Sequence, residues 1–142
     1  MCIVSVALGM DAELDDSLID NVTETEDTVV SQWREISANE RHQLRERFDE
    51  ILRPLGFETS LLVIRRANSL ALYFVSLTLS SVMSLRDQWC SRLLRSTLQT
   101  LFTFLSGTMD IVPVRRLTWP LTDYERCMEF FSAGTLCSKS IF

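Results

Sequence analysis

The apolar and polar positions in the N-terminal half of the chain predict two amphipathic helices. The sequence TETE at 23–26 has the form of a capping box, and apolar residues at helical spacing follow it, so we expect a helix over about residues 24–36. A second capping box, SANE at 37–40, precedes a segment with a charged face and an apolar stripe at 3/4 spacing. We expect this segment to form a second helix that ends at Pro54 and Gly56. The residues of the stripe are Leu44, Phe48, Ile51 and Leu52.

The middle of the chain predicts a β-hairpin. Residues 60–66 form a short apolar run, and residues 67–85 contain no charged residue. The second stretch is long enough to span a membrane, but seven of its residues are Asn, Ser or Thr, and aromatic and β-branched residues lie on both of its alternating faces. We therefore expect two strands over about residues 60–80, joined by a turn in which Asn68 takes a positive φ. Two buried helices are the alternative.

The C-terminal half predicts a long helix, an edge strand and a short helix. Residues 85–105 carry a broad apolar stripe, which is typical of one long helix packed on a sheet. Residues 110–118 contain several β-formers, but Pro113 cannot donate to a sheet, which indicates an edge strand or a bulge. The sequence TDYE at 122–125 is a third capping box and predicts a helix that Gly134 ends.

This order of elements predicts an α+β fold. A small sheet, made of the hairpin at about 60–80 and an edge strand at about 110–118, would be packed by helices. An all-α helical bundle is the alternative, because short apolar runs also fit buried helices. The length of 142 residues suits one domain with a single core.

Charge divides the chain into an acidic N-terminal arm and a mildly basic body. Residues 1–28 contain eight acidic residues and no basic one, while the net charge of the whole chain is only −5. We expect residues 1–22 to be a flexible acidic arm and residues 23–142 to be a single globular domain. The alternative is that the apolar sequence CIVSVAL at 2–8 forms a strand of the sheet.

Neither composition nor motifs point to an enzyme. The four cysteines are scattered without a C-x-x-C, the single histidine, His42, is expected on the charged face of a helix, and no Gly-rich phosphate loop or catalytic signature occurs. We therefore expect no catalytic residue, no metal and no cofactor. This cysteine usage and a start without a basic signal-peptide region favour a cytoplasmic or nuclear location.

Nucleic acid and membrane are both disfavoured as partners. Arginines of the body could contact phosphates, but the acidic arm and the net negative charge would repel a polyanion. Membrane association is not favoured because the uncharged stretch is rich in hydroxyl groups. A membrane-associating helical regulator that uses residues 67–105 is kept as the alternative function.

The sequence favours a role in binding other proteins. The predicted helix at 85–105 is apolar on more than one flank, so we expect a homo-oligomer or a heteromer. Two short patterns also suit protein partners: WREI at 33–36 has the aromatic-x-x-aliphatic form of autophagy-receptor ligands, and DIVPV at 110–114 has the form of a SUMO-binding strand. The candidate partner-binding residues are Trp89, Leu93, Phe102, Ile111, Val112, Val114, Trp33 and Ile36.

Residue usage adds a hypothesis about origin. All but one of the 14 basic residues are arginine, and leucine, serine and arginine, which have six codons each, are abundant. Such a bias is typical of a GC-rich genome or of a gene overprinted on another reading frame in a compact viral genome. From the apolar flank and the short patterns described above, the expected function is that of an interaction module, subunit or adaptor. The residue usage adds the hypothesis that the protein is a viral accessory protein that binds host proteins.

Overall fold

The computed structural model describes the backbone of residues 5–140 and the side chains of residues 5–132, and it shows an α+β fold. Within this part of the chain, four antiparallel strands form one sheet in the order β2-β3-β1-β4, packed with five helices. The predicted fold class is confirmed, and the all-α alternative is wrong. The elements are β1 (Val6–Leu14), α1 (Val22–Ala38), α2 (Arg45–Ile51), β2 (Thr59–Arg66), β3 (Leu70–Ser76), α3 (Leu79–Cys90), α4 (Leu93–Ser106), β4 (Val114–Thr118) and α5 (Leu121–Ser140).

The core lies between one face of the sheet and the helices. In β1 every second side chain from Val6 to Leu14 is buried, and each is at most 3% exposed. Such alternation fixes the register, because a slip of one residue would turn every apolar side chain to the other face. The side chains of β1 and β3 form one cluster with three helices, whose contributions are Val29, Val30, Ile36, Val82, Leu85, Leu94, Leu98, Leu101, Phe102 and Leu105.

Strand β1 corrects the predicted acidic arm. We expected residues 1–22 to be flexible, yet residues 6–14 pair with β3 on one side and with β4 on the other, so β1 is an inner strand. The alternative, a strand in the sequence CIVSVAL, applies to residues 6–8, whereas residues 2–4 lie outside the described chain. The acidic residues are compatible with a strand because Asp11 and Glu13 occupy the positions that alternate with the buried ones.

The predicted hairpin is confirmed as β2 and β3, with a turn at residues 67–69. Asn68 does not take the predicted positive φ. Among the described non-glycine residues, only Arg92 does. The register of β2 shifts between Leu61 and Val63, which leaves Leu62 in a bulge. The uncharged stretch forms this turn, β3 and the first half of α3, and none of the helices in the described chain is long and apolar enough to cross a membrane.

The predicted long helix at 85–105 is two helices. Helix α3 begins at Leu79, because the Thr78 side chain accepts a hydrogen bond from the Ser81 amide and the Ser81 hydroxyl accepts one from the Thr78 amide. It ends at Cys90, and Arg92 then adopts a φ of 69°, so that α4 starts in a new direction. Glycine usually occupies this left-handed conformation, which is why the sequence does not reveal the break.

Three further boundaries differ from the prediction. The sequence SANE lies at the C-terminal end of α1, where the Asn39 amide donates to the Ile36 carbonyl, so α2 starts only at Arg45. Strand β4 lies at the sheet edge as predicted, but it begins after Pro113. Helix α5 continues through Gly134 to residue 140.

An ion-pair cluster joins α1 to the end of β2. The Arg66 guanidinium lies 3.4 Å from the Glu26 carboxylate and also contacts the Asp27 carboxylate. The Glu26 side chain is only 5% exposed, and this burial raises its pKa, although the positive charge of Arg66 opposes the rise. The ionised form of Glu26 is therefore less favourable in the folded protein than in the unfolded chain.

We predict that Glu26→Gln increases stability at neutral pH. A carboxyl group whose pKa is higher in the folded state stabilises the fold below its unfolded pKa, and this contribution is lost as the pH rises through the folded pKa. Glutamine has no ionisable group, so the variant does not lose this stability as the pH rises, and Arg66 keeps Asp27 as its partner. Urea denaturation should show the advantage at pH 7 and its decline towards about pH 4. A variant less stable than the wild type at pH 7 would mean that the Arg66 ion pair outweighs the desolvation of Glu26.

We also predict that Leu8→Ala in β1 lowers the free energy of unfolding by about 2–5 kcal/mol, because Leu8 is 1% exposed and its truncation leaves a cavity. The control is Asp11→Ala on the exposed face of the same strand, which should change the free energy of unfolding by at most about 0.5 kcal/mol. Denaturant titration followed by circular dichroism measures both. Equal stability of Leu8→Ala and wild type would contradict an inner position for β1.

Candidate functional site

The face of the sheet opposite the core carries mostly exposed and half-buried side chains, and we call it the open face. The strand register places its residues in rows that run across the sheet. The first row is Ser60, Val75 and Ala7, the second is Val63, Tyr73 and Gly9, the third is Arg65, Ala71, Asp11 and Thr118, and the last is Glu13 and Arg116.

The centre of the open face is apolar. Val63, Tyr73 and Val75 are half-buried, and Ala71 beside them is 5% exposed. An antiparallel sheet with one solvated face normally alternates apolar residues towards the core with polar residues towards water. The apolar centre departs from that pattern, which marks the open face as a candidate binding surface.

Tyr73 lies at the middle of this centre and is held there by two neighbours. Its ring lies over Gly9, where an added Cβ would come within 3.2 Å of the Tyr73 Cε1 atom. Arg65 on β2 donates from Nη2 to the Tyr73 hydroxyl at 3.2 Å, and its Cζ lies 5.2 Å from the ring centroid. A hydrogen bond and a cation–π contact thus fix the ring against the sheet.

One end of the open face is charged. Glu13 of β1 lies opposite Arg116 of β4, two residues from Asp11. Arg115, at the register shift of β4, lies 3.6 Å from the Glu13 carboxylate and 3.5 Å from the Asp16 carboxylate. These ion pairs are largely exposed, so they add little to stability and leave their charges accessible to a partner.

The start of α5 completes the edge of β1 beyond the end of β4. Strand β4 pairs with β1 only from Asp11 to Leu14, so the backbone of residues 7–9 meets α5 instead. The Gly9 amide donates to Asp123 Oδ2 at 3.3 Å, and Arg126 Nη2 donates to the Ala7 carbonyl at 2.5 Å and to Asp123 Oδ1 at 2.8 Å. The ion pair of Asp123 and Arg126 takes the place of a neighbouring strand. Asp123 supplies an acceptor and Arg126 a donor to the β1 backbone.

Aromatic side chains fix α5 against its neighbours. The buried Trp119 donates from Nε1 to the Asp123 carboxylate at 3.0 Å, and its ring meets the Tyr124 ring edge to face at 5.4 Å between centroids. Arg86 of α3 lies 4.3 Å from the centroid of the Tyr124 ring. Cys127 is fully buried, and this burial raises the pKa of its thiol, with a further rise from the Asp123 charge. The thiol is therefore protonated and shielded while α5 is docked.

The candidate residues predicted at 85–105 divide between core and surface. Phe102 is fully buried, and Trp89 is half-buried with its Nε1 donating to the Leu117 carbonyl at 3.0 Å. Leu93, the first residue of α4, is 50% exposed. The expected apolar flank is therefore not one continuous surface, and self-association through Leu93 stays a prediction.

The other candidate residues are also mostly in the core. Val112 and Val114 are at most 4% exposed, whereas Ile111 is 72% exposed. Trp33 and Ile36 lie in α1, where Ile36 is fully buried and Trp33 packs partly buried against the core. Of this group, only Ile111 is open to a partner in this conformation.

Sequence reasoning missed the open face, although part of its signal is visible. Both alternating faces of residues 70–76 are apolar, which indicated a strand buried on both sides. The structure shows that helices cover one side, while the other side is the half-buried centre around Tyr73. Ala7 and Gly9 could not be assigned to this face from the sequence, because residues 1–22 were expected to form a flexible arm apart from the sheet.

His42 and the acidic residues show no constellation typical of a metal centre. In the described part of the chain, no three His, Cys, Asp or Glu side chains are grouped so that they could hold a metal ion. His42 Nδ1 accepts a hydrogen bond from the Leu44 amide at 3.1 Å, a local contact in the turn before α2. The absence of an enzymatic function stays a prediction.

We predict that Asp123→Ala loosens α5 and makes Cys127 accessible to reagents. The substitution removes the acceptor of the Gly9 amide and the Trp119 indole, and an unsatisfied buried donor costs about 1–3 kcal/mol. Maleimide labelling of Cys127, resolved by peptide mass spectrometry, should become at least tenfold faster, which requires a loss of about 1.4 kcal/mol in the opening free energy.

Two references make this labelling experiment decisive. The exposed Cys90 should react at the same rate in all variants. Glu125→Ala, an exposed position in the same turn of α5, should leave the labelling of Cys127 slow. If Asp123→Ala labels Cys127 no faster than Glu125→Ala does, the ion pair is not what holds α5 in place.

Comparison with known proteins does not add a family to this description. No protein-family model matches the sequence, and no curated protein matches it. The function is therefore inferred from the geometry of the open face.

Proposed function

We propose that this protein is a non-enzymatic interaction module that binds a protein partner through its open face. The observation that carries the proposal is the apolar centre around Tyr73 on a sheet face where polar residues are normal. An exposed apolar patch with a polar rim is typical of a protein interface. The open face combines its half-buried apolar centre with Arg65, Asp11 and Arg116, which border the centre at the charged end.

The dimensions of the open face suit part of a standard interface. Three strands about 4.8 Å apart and four rows about 7 Å apart cover roughly 400 Å². A standard interface takes about 800 Å² from each partner. The partner would therefore cover the apolar centre and extend over the charged end.

The Tyr73 and Arg65 pair has the properties of a binding hot spot. Tyrosine and arginine are enriched among the few interface residues that dominate the binding free energy. Arg65 already holds the Tyr73 ring against Gly9, so little side-chain entropy is lost when a partner packs on it.

The charged end would contribute to the choice of partner. Asp11 is exposed and, within the described chain, makes no ion pair. Charges at the rim of an interface affect specificity and the association rate more than affinity. We expect the partner to place a basic group near Asp11.

The binding mode would be packing on the sheet face and not addition of a strand. Edge strand β2 carries a bulge at Leu62, and α5 closes the edge of β1 at residues 7–9. Bulges and covered edges discourage pairing with a further strand. The edge at residues 110–118, which the sequence favoured as a binding segment, has less support because Val112 and Val114 belong to the core.

Other expectations from the sequence have less support than the open face. Self-association through Leu93 rests on the exposure of that one side chain. A membrane-associating regulator that uses residues 67–105 would have to remove β3 and α4 from the core, so we do not propose it. A role as a viral accessory protein stays a prediction from residue usage alone.

We predict that Val75→Arg weakens binding of the partner at least tenfold without unfolding the protein. Val75 lies between Ser60 and Ala7 in the apolar centre, so an arginine adds bulk and charge to the contact. The core face is unchanged, and the melting temperature should shift by no more than about 4 °C. Affinity capture with the wild-type chain identifies the partner, and calorimetry with that purified partner should show at least a tenfold higher Kd, about 1.4 kcal/mol.

Matched variants decide whether the effect belongs to the open face. Ser31→Arg adds the same charge at an exposed position of α1 and should bind like the wild type. Tyr73→Ala should weaken binding by about 2 kcal/mol or more. A partner that binds Val75→Arg and Tyr73→Ala as tightly as the wild type would show that it does not use this surface.

A further inference from the structure

We propose a second binding site, a groove between the start of α1 and the loop that joins α4 to β4, which takes a short basic and apolar segment of a protein partner. We call it the acidic groove. It has a volume of about 350 Å³ and shares no residue with the open face. Its lining includes Leu18, Asp20, Glu24, Thr108, Asp110 and Ile111.

Large apolar side chains stand at the rim of the acidic groove. Leu18 and Ile111 are each 72% exposed, and Met109 in the same loop is fully exposed. Single exposed apolar residues are normal on a protein surface. Leu18 and Ile111 instead line one depression, so a partner that enters it would remove both from water.

The charge of the acidic groove is of one sign. Asp20, Glu24 and Asp110 line it, no basic residue does, and none of the three makes an ion pair within the described chain. Capping of α1 does not explain Asp20 or Asp110, because the Asn21 side chain already accepts from the Glu24 amide at 3.0 Å. The electrostatic complement of this surface is a lysine or an arginine.

A second depression shares Thr108 and Ile111 in its lining with the acidic groove. It has a volume of about 610 Å³, lies between α2 and α4, and has Ile51 and Phe104 in its walls. Two of its polar side chains, Gln99 and Thr103, already accept hydrogen bonds from the backbone amides of the segment at 112–114. The other polar residues of the lining are Arg47, Ser96, Thr100 and Thr108, and no acidic residue of the described chain lines it. This second depression therefore offers Ile51, Phe104 and Ile111 to apolar side chains and no partner to a basic one.

The occupant that fits both depressions has basic residues at one end and large apolar residues at the other. Helices α2 and α4 form most of the second depression, loops and the start of α1 form the acidic groove, and the volumes admit a few side chains but not a domain. The corresponding recognition mode is a short amphipathic segment laid into a groove. Since the open face is separate, the chain could hold this segment and its other partner together.

The test selects peptides from a displayed random library on the immobilised chain, after depletion on an Asp20→Lys/Asp110→Lys double variant. We expect the enriched peptides to combine lysine or arginine with large apolar residues. A synthesised peptide from this selection should bind at least tenfold more weakly to Asp110→Lys and to Ile111→Ser in fluorescence anisotropy. Circular dichroism should show that both variants keep the wild-type spectrum and melting temperature.

Two controls separate this site from general charge effects and from the open face. Glu35→Lys makes the same charge change at an exposed position near the end of α1, and Val75→Arg alters the open face. Both should keep the peptide affinity of the wild type. An unchanged affinity in Val75→Arg also keeps this result independent of the proposed function.

Several outcomes would overturn the acidic groove as a binding site for a basic segment. These are enriched peptides without basic residues, an equal loss of affinity in Glu35→Lys, or no enrichment over the double variant. If light scattering shows an oligomer that Asp110→Lys converts to a monomer, and no peptide is selected, the groove binds a second copy of the chain instead.

Discussion

The alternation along β1 is the constraint on which the rest of the structure depends. Every second residue from Val6 to Leu14 is buried against the helices, and the residues between them form part of the open face. Because β1 pairs on both sides, its register sets the positions of β3 and β4, and through β3 that of β2. The same nine residues thus anchor the core and shape the surface to which we attribute partner binding.

The inner position of β1 leaves a gap that α5 fills. Strand β4 is only five residues long, so the backbone of residues 7–9 would otherwise present free hydrogen-bonding groups at a sheet edge. Asp123 and Arg126 satisfy these groups with side chains and stop the sheet there. The start of α5 therefore sets the width of the sheet and, with it, the extent of the open face.

Local signals made part of this structure predictable. The helical spacing of the apolar residues in α1 and the alternation in the hairpin act over a few residues, and both elements could be predicted from them. The predicted capping box TETE is wrong, because residues 23–26 lie inside α1 and its N-cap is Asn21. The break between α3 and α4 could not, because an arginine takes the conformation that glycine usually marks. Of the eight candidate binding residues, only Leu93 and Ile111 are well exposed, since an apolar stripe does not reveal whether another element covers it.

The contact of Tyr73 with Gly9 has a consequence for how the open face could diverge between related proteins. A larger residue at position 9 would displace the Tyr73 ring and, with it, Arg65. The neighbours Leu8 and Met10 point to the core and would stay in place, because side chains alternate along a strand. Changes in a single codon could therefore alter the shape of the open face during evolution while the hydrophobic core is inherited unchanged.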